Sequence, residues 1–98
     1  MIYVISTAHL KPGTQAQAVA AAKPCLAETL KEDGCLSYDL HVSVSDPDKV
    51  VFVERWESRD HLAAHTRTPH FLAWRAAAAD FVANRTVEVI DPAQVTGL

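Results

Sequence analysis

The sequence predicts an α+β protein of ferredoxin-like type, with the order β-α-β-β-α-β around one antiparallel sheet. Three observations lead there. Four segments alternate apolar residues with the period of two that a strand requires. Between them lie two segments whose apolar residues recur every three to four positions, as on a helix with one packed face. The second and third alternating segments are separated only by Ser45-Asp46-Pro47-Asp48-Lys49, a short loop with turn chemistry, so they form a hairpin.

Residues 2–10 read as the first strand, with Ile2, Val4, Ser6, Ala8 and Leu10 on one face and Tyr3, Ile5, Thr7 and His9 on the other. Lys11-Pro12-Gly13 turns the chain. Thr14 is placed to cap a helix reaching about residue 33, with Val19, Ala22, Leu26, Thr29 and Leu30 as its inner stripe. Pro24 removes a backbone donor inside it, so a kink or a split is expected at Lys23. Gly34 fits the residue just past the helix. Residues 35–44 form the second strand, with Leu36, Tyr38, Leu40, Val42 and Val44 on one face.

Residues 50–56 return as the third strand. Both of its faces are largely apolar, so it belongs in the middle of the sheet and covered on both sides. Ser58 caps a short helix to about residue 65. Thr68-Pro69 starts a second helix, to about residue 83, with Phe71, Trp74, Ala78, Phe81 and Val82 facing inward. Residues 85–91 make the last strand, and 91–98 are a C-terminal tail.

At 98 residues the chain is expected to be one domain, 1–98. Such a chain buries roughly 60–65% of the surface it exposes when unfolded, which makes a modest core. Helices on one side of the sheet leave the other, partly apolar, side open. A second copy packed sheet to sheet would cover it, so a homodimer is expected. Nine basic against twelve acidic residues, a formal charge of −3, argue against a nucleic-acid partner. No apolar run approaches the roughly 20 residues of a membrane span. Residues 1–11 lack a basic segment before their apolar stretch, so no secretion signal is read, and the expected location is cytoplasmic. Cys25 and Cys35 match no metal or redox spacing and read as free thiols.

Seven residues form the candidate site. Tyr38, Trp56, Phe71 and Trp74 supply aromatic walls of the kind that hold a flat organic molecule, and His65, His70 and Arg75 supply polar groups among them. A histidine can take a proton from a phenol or an activated carbon, and an arginine can stabilise the anion left behind. His61 and His65 stand at a chelating spacing, but no Glu follows His61 and no acidic residue sits at ligand spacing beside them, so no metal site is expected. Glu54 and Arg55 on the third strand need partners, and ion pairing is expected there, within the chain or across the dimer. Glu28, Lys31 and Glu32 read as a solvated helix face.

The ordered set Glu32-Asp33-Gly34-Cys35-Leu36-Ser37-Tyr38, Asp46-Pro47, Phe52-Val53-Glu54-Arg55-Trp56-Glu57-Ser58, His65 and Pro69-His70-Phe71 resembles the antibiotic biosynthesis monooxygenase domain family, over about residues 1–91. The resemblance implies a dimeric α/β barrel of ferredoxin-like protomers. It also implies a cofactor-independent monooxygenase that oxidises a phenolic, quinol or anthrone-type aromatic with O2, using no flavin, haem or metal. In that reading Trp56 and Phe71 touch the ring, His65 or His70 handles the proton, and Arg75 with Tyr38 stabilises the anion. Haem-degrading relatives carry an Asn on the first strand, a Trp near position 65 and a His near position 75. This chain has Ser6 or Thr7, His65 and Arg75 there, which points away from haem. The alternatives on the same fold are an isomerase of a small metabolite and a non-catalytic dimeric ligand-binding module. An isomerase pocket for a polar metabolite would want more Arg, Lys and Ser than Arg75 and Arg67 supply.

Overall fold

A computed structural model describes residues 1–98. In chain order the elements are β1 (Ile2–Leu10), α1 (Gln15–Thr29), β2 (Cys35–Val42), β3 (Lys49–Trp56), α2 (Arg59–His65), α3 (Pro69–Ala78) and β4 (Val82–Ile90). The strands form one antiparallel sheet in the order β2-β3-β1-β4. This is the ferredoxin-like arrangement, with β3 and β1 in the middle and the second helix broken in two, as the two start signals require. Ser58 Oγ accepts from the His61 N–H, and Thr68 Oγ1 accepts from the Phe71 N–H, with Pro69 in the first turn.

The core lies on one side of the sheet. Ile2, Val4, Phe52, Trp56 and Tyr38 point from the strands toward Ala22 and Cys25 of α1 and Trp74 and Ala78 of α3. A smaller cluster of Ala8, Leu10, Ala18 and Val50 continues it. The opposite face carries Tyr3, Ile5, Val51 and Val53, which are half-buried among their strand neighbours and belong to neither cluster.

Three elements, α1, β2 and α3, depart locally from the sequence reading. The inner stripe of α1 is Ala18, Ala22, Cys25 and Thr29, and Leu30 is exposed. Small side chains there let the helix approach the sheet closely, which a leucine stripe would prevent. The helix continues through Pro24 as one element, and Thr14 makes no side-chain cap; its hydroxyl donates to the Lys11 carbonyl instead. It ends at Thr29, after which the backbone tightens to bonds such as Glu32 N–H to the Thr29 carbonyl. That tighter turn swings Glu32 off the solvated face and into the interior.

In β2 the register slips between Cys35 and Ser37, so Leu36 is bulged out and Cys35 joins Tyr38 on the core side. The strand stops at Val42, and Val44 is fully exposed. Finally, α3 stops at Ala78 and β4 begins at Val82. Pairing of Leu10 and His9 with Val82 and Asn84 extends the ladder along the whole of β1, and this outweighs the helix preference of the alanines.

Candidate active site

A cleft opens between α2 and α3 on one side and the β1–β4 half of the sheet on the other. It is available because β4 has no helix above it: Val87 faces the same side as Ser6 and Val4, yet is half exposed. The cleft consists of two cavities of about 290 Å³ and 320 Å³ that share Ser6, Arg75 and Arg85. One is walled by Phe52, Trp74, Ala78 and Val82. The other holds His65 and Glu54, with Leu62, Phe71 and Val89 around them.

His65 is 1% exposed and its ring is packed by Trp56 at 4.8 Å, Phe71 at 4.9 Å and Tyr38 at 5.3 Å between centroids. Its Nδ1 lies 2.6 Å from Glu32 Oε2, and His70 Nε2 lies 2.7 Å from the same oxygen. A carboxylate only accepts, so each ring presents an N–H to Glu32. This sets the tautomer of His65 and leaves the lone pair on Nε2, which has no partner in the chain and is sealed from solvent. Burial holds the His65 pKa below the ordinary value, with the bond to Glu32 opposing it.

Glu54 is 6% exposed at the cleft wall. The Trp56 indole donates to its Oε1 at 2.9 Å. The expected ion pairing is absent within the chain: Glu54 meets no cation, and Arg55 donates to Ser37 Oγ on the other face of the sheet. Burial, aided by the nearby Glu32, pushes the Glu54 pKa up to about 7 against the pull of the Trp56 bond.

Of the seven candidates, His65, Phe71, Trp74 and Arg75 line the cleft. Tyr38 and Trp56 stand behind His65 and line neither cavity; burial raises the Tyr38 pKa well above that of a free phenol. His70 lies on the far side of Glu32 and is also outside both cavities. Glu32, Glu54, Ser6 and Arg85 were not among the candidates. Glu54 carried a readable signal, since a charged residue on the inward face of a central strand demands a role. Glu32 carried none, because the helix period put it outside.

Two clusters have donor atoms of the metal-binding kind, Glu32 with His65 and His70, and Asp33 with Glu57 and His61. In the first, the nitrogens touch the carboxylate oxygen at hydrogen-bond distance. Ligands around a tetrahedral zinc sit about 3.3 Å apart, so this is a proton network as it stands. The second is largely open to solvent, although His61 itself is half-buried and meets Ser58 Oγ at 2.7 Å.

Residues 1–77 match the sequence profile of the antibiotic biosynthesis monooxygenase family. The chain belongs to that family. The probable quinol monooxygenase YgiN of Escherichia coli K12 is 35% identical over 102 aligned positions, covering 94% of this chain and 98% of YgiN. Rv0793 of Mycobacterium tuberculosis is 36% identical over 75 positions, 76% of this chain and 73% of that one. The solved structure of Rv0793 superposes with a TM-score of 0.89, covering 98% of each chain. A family structure from Nitrosomonas europaea, 27% identical, gives 0.91 over 96% of this chain and all of that one. Family membership and the ferredoxin-like fold therefore agree. No helix is long and apolar enough to cross a membrane.

Proposed function

We propose that this chain is a monooxygenase that oxidises a quinol-type aromatic with O2, without flavin, haem or metal, as a homodimer of single-domain protomers. The observation that carries the reading is the buried, unpartnered Nε2 of His65 in the wall of an aromatic cleft, with its tautomer set by Glu32. An orphaned buried acceptor is costly, and the hydroxyl of a bound ring would satisfy it once a small shift of the His65 ring bares Nε2 to the cavity it lines. The names of the relatives support monooxygenation, and that of YgiN a quinol.

In this mechanism Phe71 and Trp74 hold the ring. His65 takes the hydroxyl proton as base, and Glu32 stabilises the imidazolium that forms. Arg75, which makes no ion pair within the chain, stabilises the quinol anion. The anion is the reductant: its electrons pass to O2, one oxygen enters the ring and the other leaves as water. His70 serves through Glu32. Tyr38 and Trp56 hold the His65 ring in place from behind.

The dimer is supported by the helix-free sheet face of Tyr3, Ile5, Val51 and Val53, which a second sheet would cover. The test of the function is oxygen uptake with naphthohydroquinone and anthrone, with no cofactor added. The expected result is uptake above the uncatalysed background, falling roughly 100-fold or more in His65→Ala and less in His70→Ala. Uptake that requires added flavin or metal, or that is unchanged in both variants, would overturn it.

A further inference from the structure

The cleft contains a second proton-bearing group that the mechanism above does not use. Glu54 projects from β3, a central strand, into the same cavity as His65. One carboxyl oxygen is fixed by the Trp56 indole. The other has no partner in the chain. Since His65 Nε2 is the only side-chain polar atom both sealed and unpartnered, Glu54 Oε2 must open into the cavity. Arg75 and Arg85 line that cavity, yet neither neutralises Glu54 within ion-pair distance. A structural carboxylate in such a place would be paired. An unpaired one, held at one oxygen and open at the other, is arranged to carry a proton to something in the cleft.

We propose that Glu54 is the proton donor of the cleft, delivering its proton to the oxygen that leaves when the O–O bond breaks. This rests on the monooxygenase reading and extends it. His65 first takes a hydroxyl proton from the quinol. The anion adds O2 at the neighbouring ring carbon, forming a C–O bond, and the His65 imidazolium returns its proton to the peroxide. His65 then takes the hydrogen of that carbon as a proton. The C–H electron pair becomes the second bond of a new carbonyl, the O–O bond breaks, and the leaving hydroxide takes the Glu54 proton to become water. The sum is quinol plus O2 giving hydroxyquinone plus water, with the ring oxidised and O2 reduced. The His65 imidazolium and Glu54 carboxylate return to their starting states by proton exchange.

The last step needs an acid and a base together, and one histidine cannot be both at once. Without the acid, the hydroperoxide has another exit. The second hydroxyl loses its proton, hydroperoxide leaves as H2O2, and the unmodified quinone remains. Glu54 therefore decides how much O2 is inserted and how much is released as peroxide.

The charge environment of Glu54 fits an acid protonated in part near neutral pH. Glu32 approaches from the turn after α1, Tyr38 and Cys35 from β2, Cys25 from α1, His65 from α2, Arg75 from α3 and Arg85 from β4. Burial dominates, and the pKa stands at about 7.

The test compares wild type with Glu54→Gln, whose side-chain carbonyl still accepts from Trp56. The substrate is naphthohydroquinone under heavy-oxygen gas. Product labelling and H2O2 are measured across pH. Wild type is expected to place one heavy oxygen in each product, with insertion declining above about pH 7. Glu54→Gln should raise the peroxide-to-insertion ratio at least roughly tenfold, and its ratio should lose the pH dependence. An unchanged ratio in Glu54→Gln overturns the proposal. The indole N–H resonance of Trp56 gives a readout that needs no turnover. It should shift near pH 7 in wild type and stay fixed in Glu54→Gln. A Trp56 resonance that does not titrate in wild type also overturns the Glu54 role. Wild type that takes up no oxygen with the quinol counts against the monooxygenase reading instead.

Discussion

Glu32 and Glu54 are both acidic residues drawn into the interior, and their neighbours give them opposite tasks. Glu32 receives two imidazole N–H groups on one oxygen and fixes a tautomer. Glu54 receives one indole N–H and no cation, so desolvation outweighs its hydrogen bond. That difference has a sign in stability. A carboxyl whose folded pKa lies above its unfolded value holds its proton more tightly when folded. Its contribution is present at low pH and is lost as pH rises from about 4.5 through about 7. The shift corresponds to about 3 kcal/mol. Glu54→Gln should therefore gain stability relative to wild type by about that amount between pH 4.5 and pH 8, measured by urea unfolding at both. Equal pH dependence in the two proteins would show that Glu54 is not desolvated as described. The need of Glu54 for a role was legible from its place on an inward strand face, but the ion pairing expected from it is not formed within the chain. The role of Glu32 was not, because it depends on a change in helix pitch that residue spacing does not reveal.

At the scale of elements, the turn between α1 and β2 does the positioning. Gly34 has φ +81°, in the left-handed region, and its Cα lies against the His61 ring at the start of α2. The Glu57 N–H also donates to the Gly34 carbonyl at 2.9 Å, tying this turn to the end of β3. Glu32 sits two residues before this glycine and reaches α2 and α3 through their histidines. Gly34→Ala would combine an unfavourable backbone conformation with a side chain overlapping His61. The expected cost is roughly 2 kcal/mol or more, a fall of about 10 °C in Tm by calorimetry. A Tm within about 2 °C of wild type would show that the turn relaxes freely. The strand pattern, the hairpin and the starts of α2 and α3 were all legible. The ends of α1 and α3 were not. Thr29 ends α1 because the chain must turn under α2, and Ala78 ends α3 because β1 has partners waiting in Val82 and Asn84.

For the whole molecule, the two faces of the sheet have different fates. One is closed by helices except above β4, and the gap is the cleft. The other has no covering element in the chain. Val53 lies in the middle of that face, paired with Ile5 on one side and Asp39 on the other. Val53→Asp should leave the helix-side core intact and convert a dimer to a monomer at micromolar concentration, read by size exclusion with light scattering. A wild-type monomer under the same conditions would remove the dimer from the proposed function.

The sequence by itself determined the element order, the antiparallel hairpin, the central place of β3 and the family. These follow from local periodicity and from motifs that are contiguous in the chain, and such signals survive without knowledge of distant neighbours. Only the tertiary structure decided which side chains meet. It moved Glu32 to His65 and His70, placed Glu54 in the cleft wall, and set Tyr38 and Trp56 behind the His65 ring. The physical reason is that these arrangements depend on burial, on a bulge and on a helix end. Each is settled by the free energy of packing distant segments together, and none is encoded in the spacing of nearby residues.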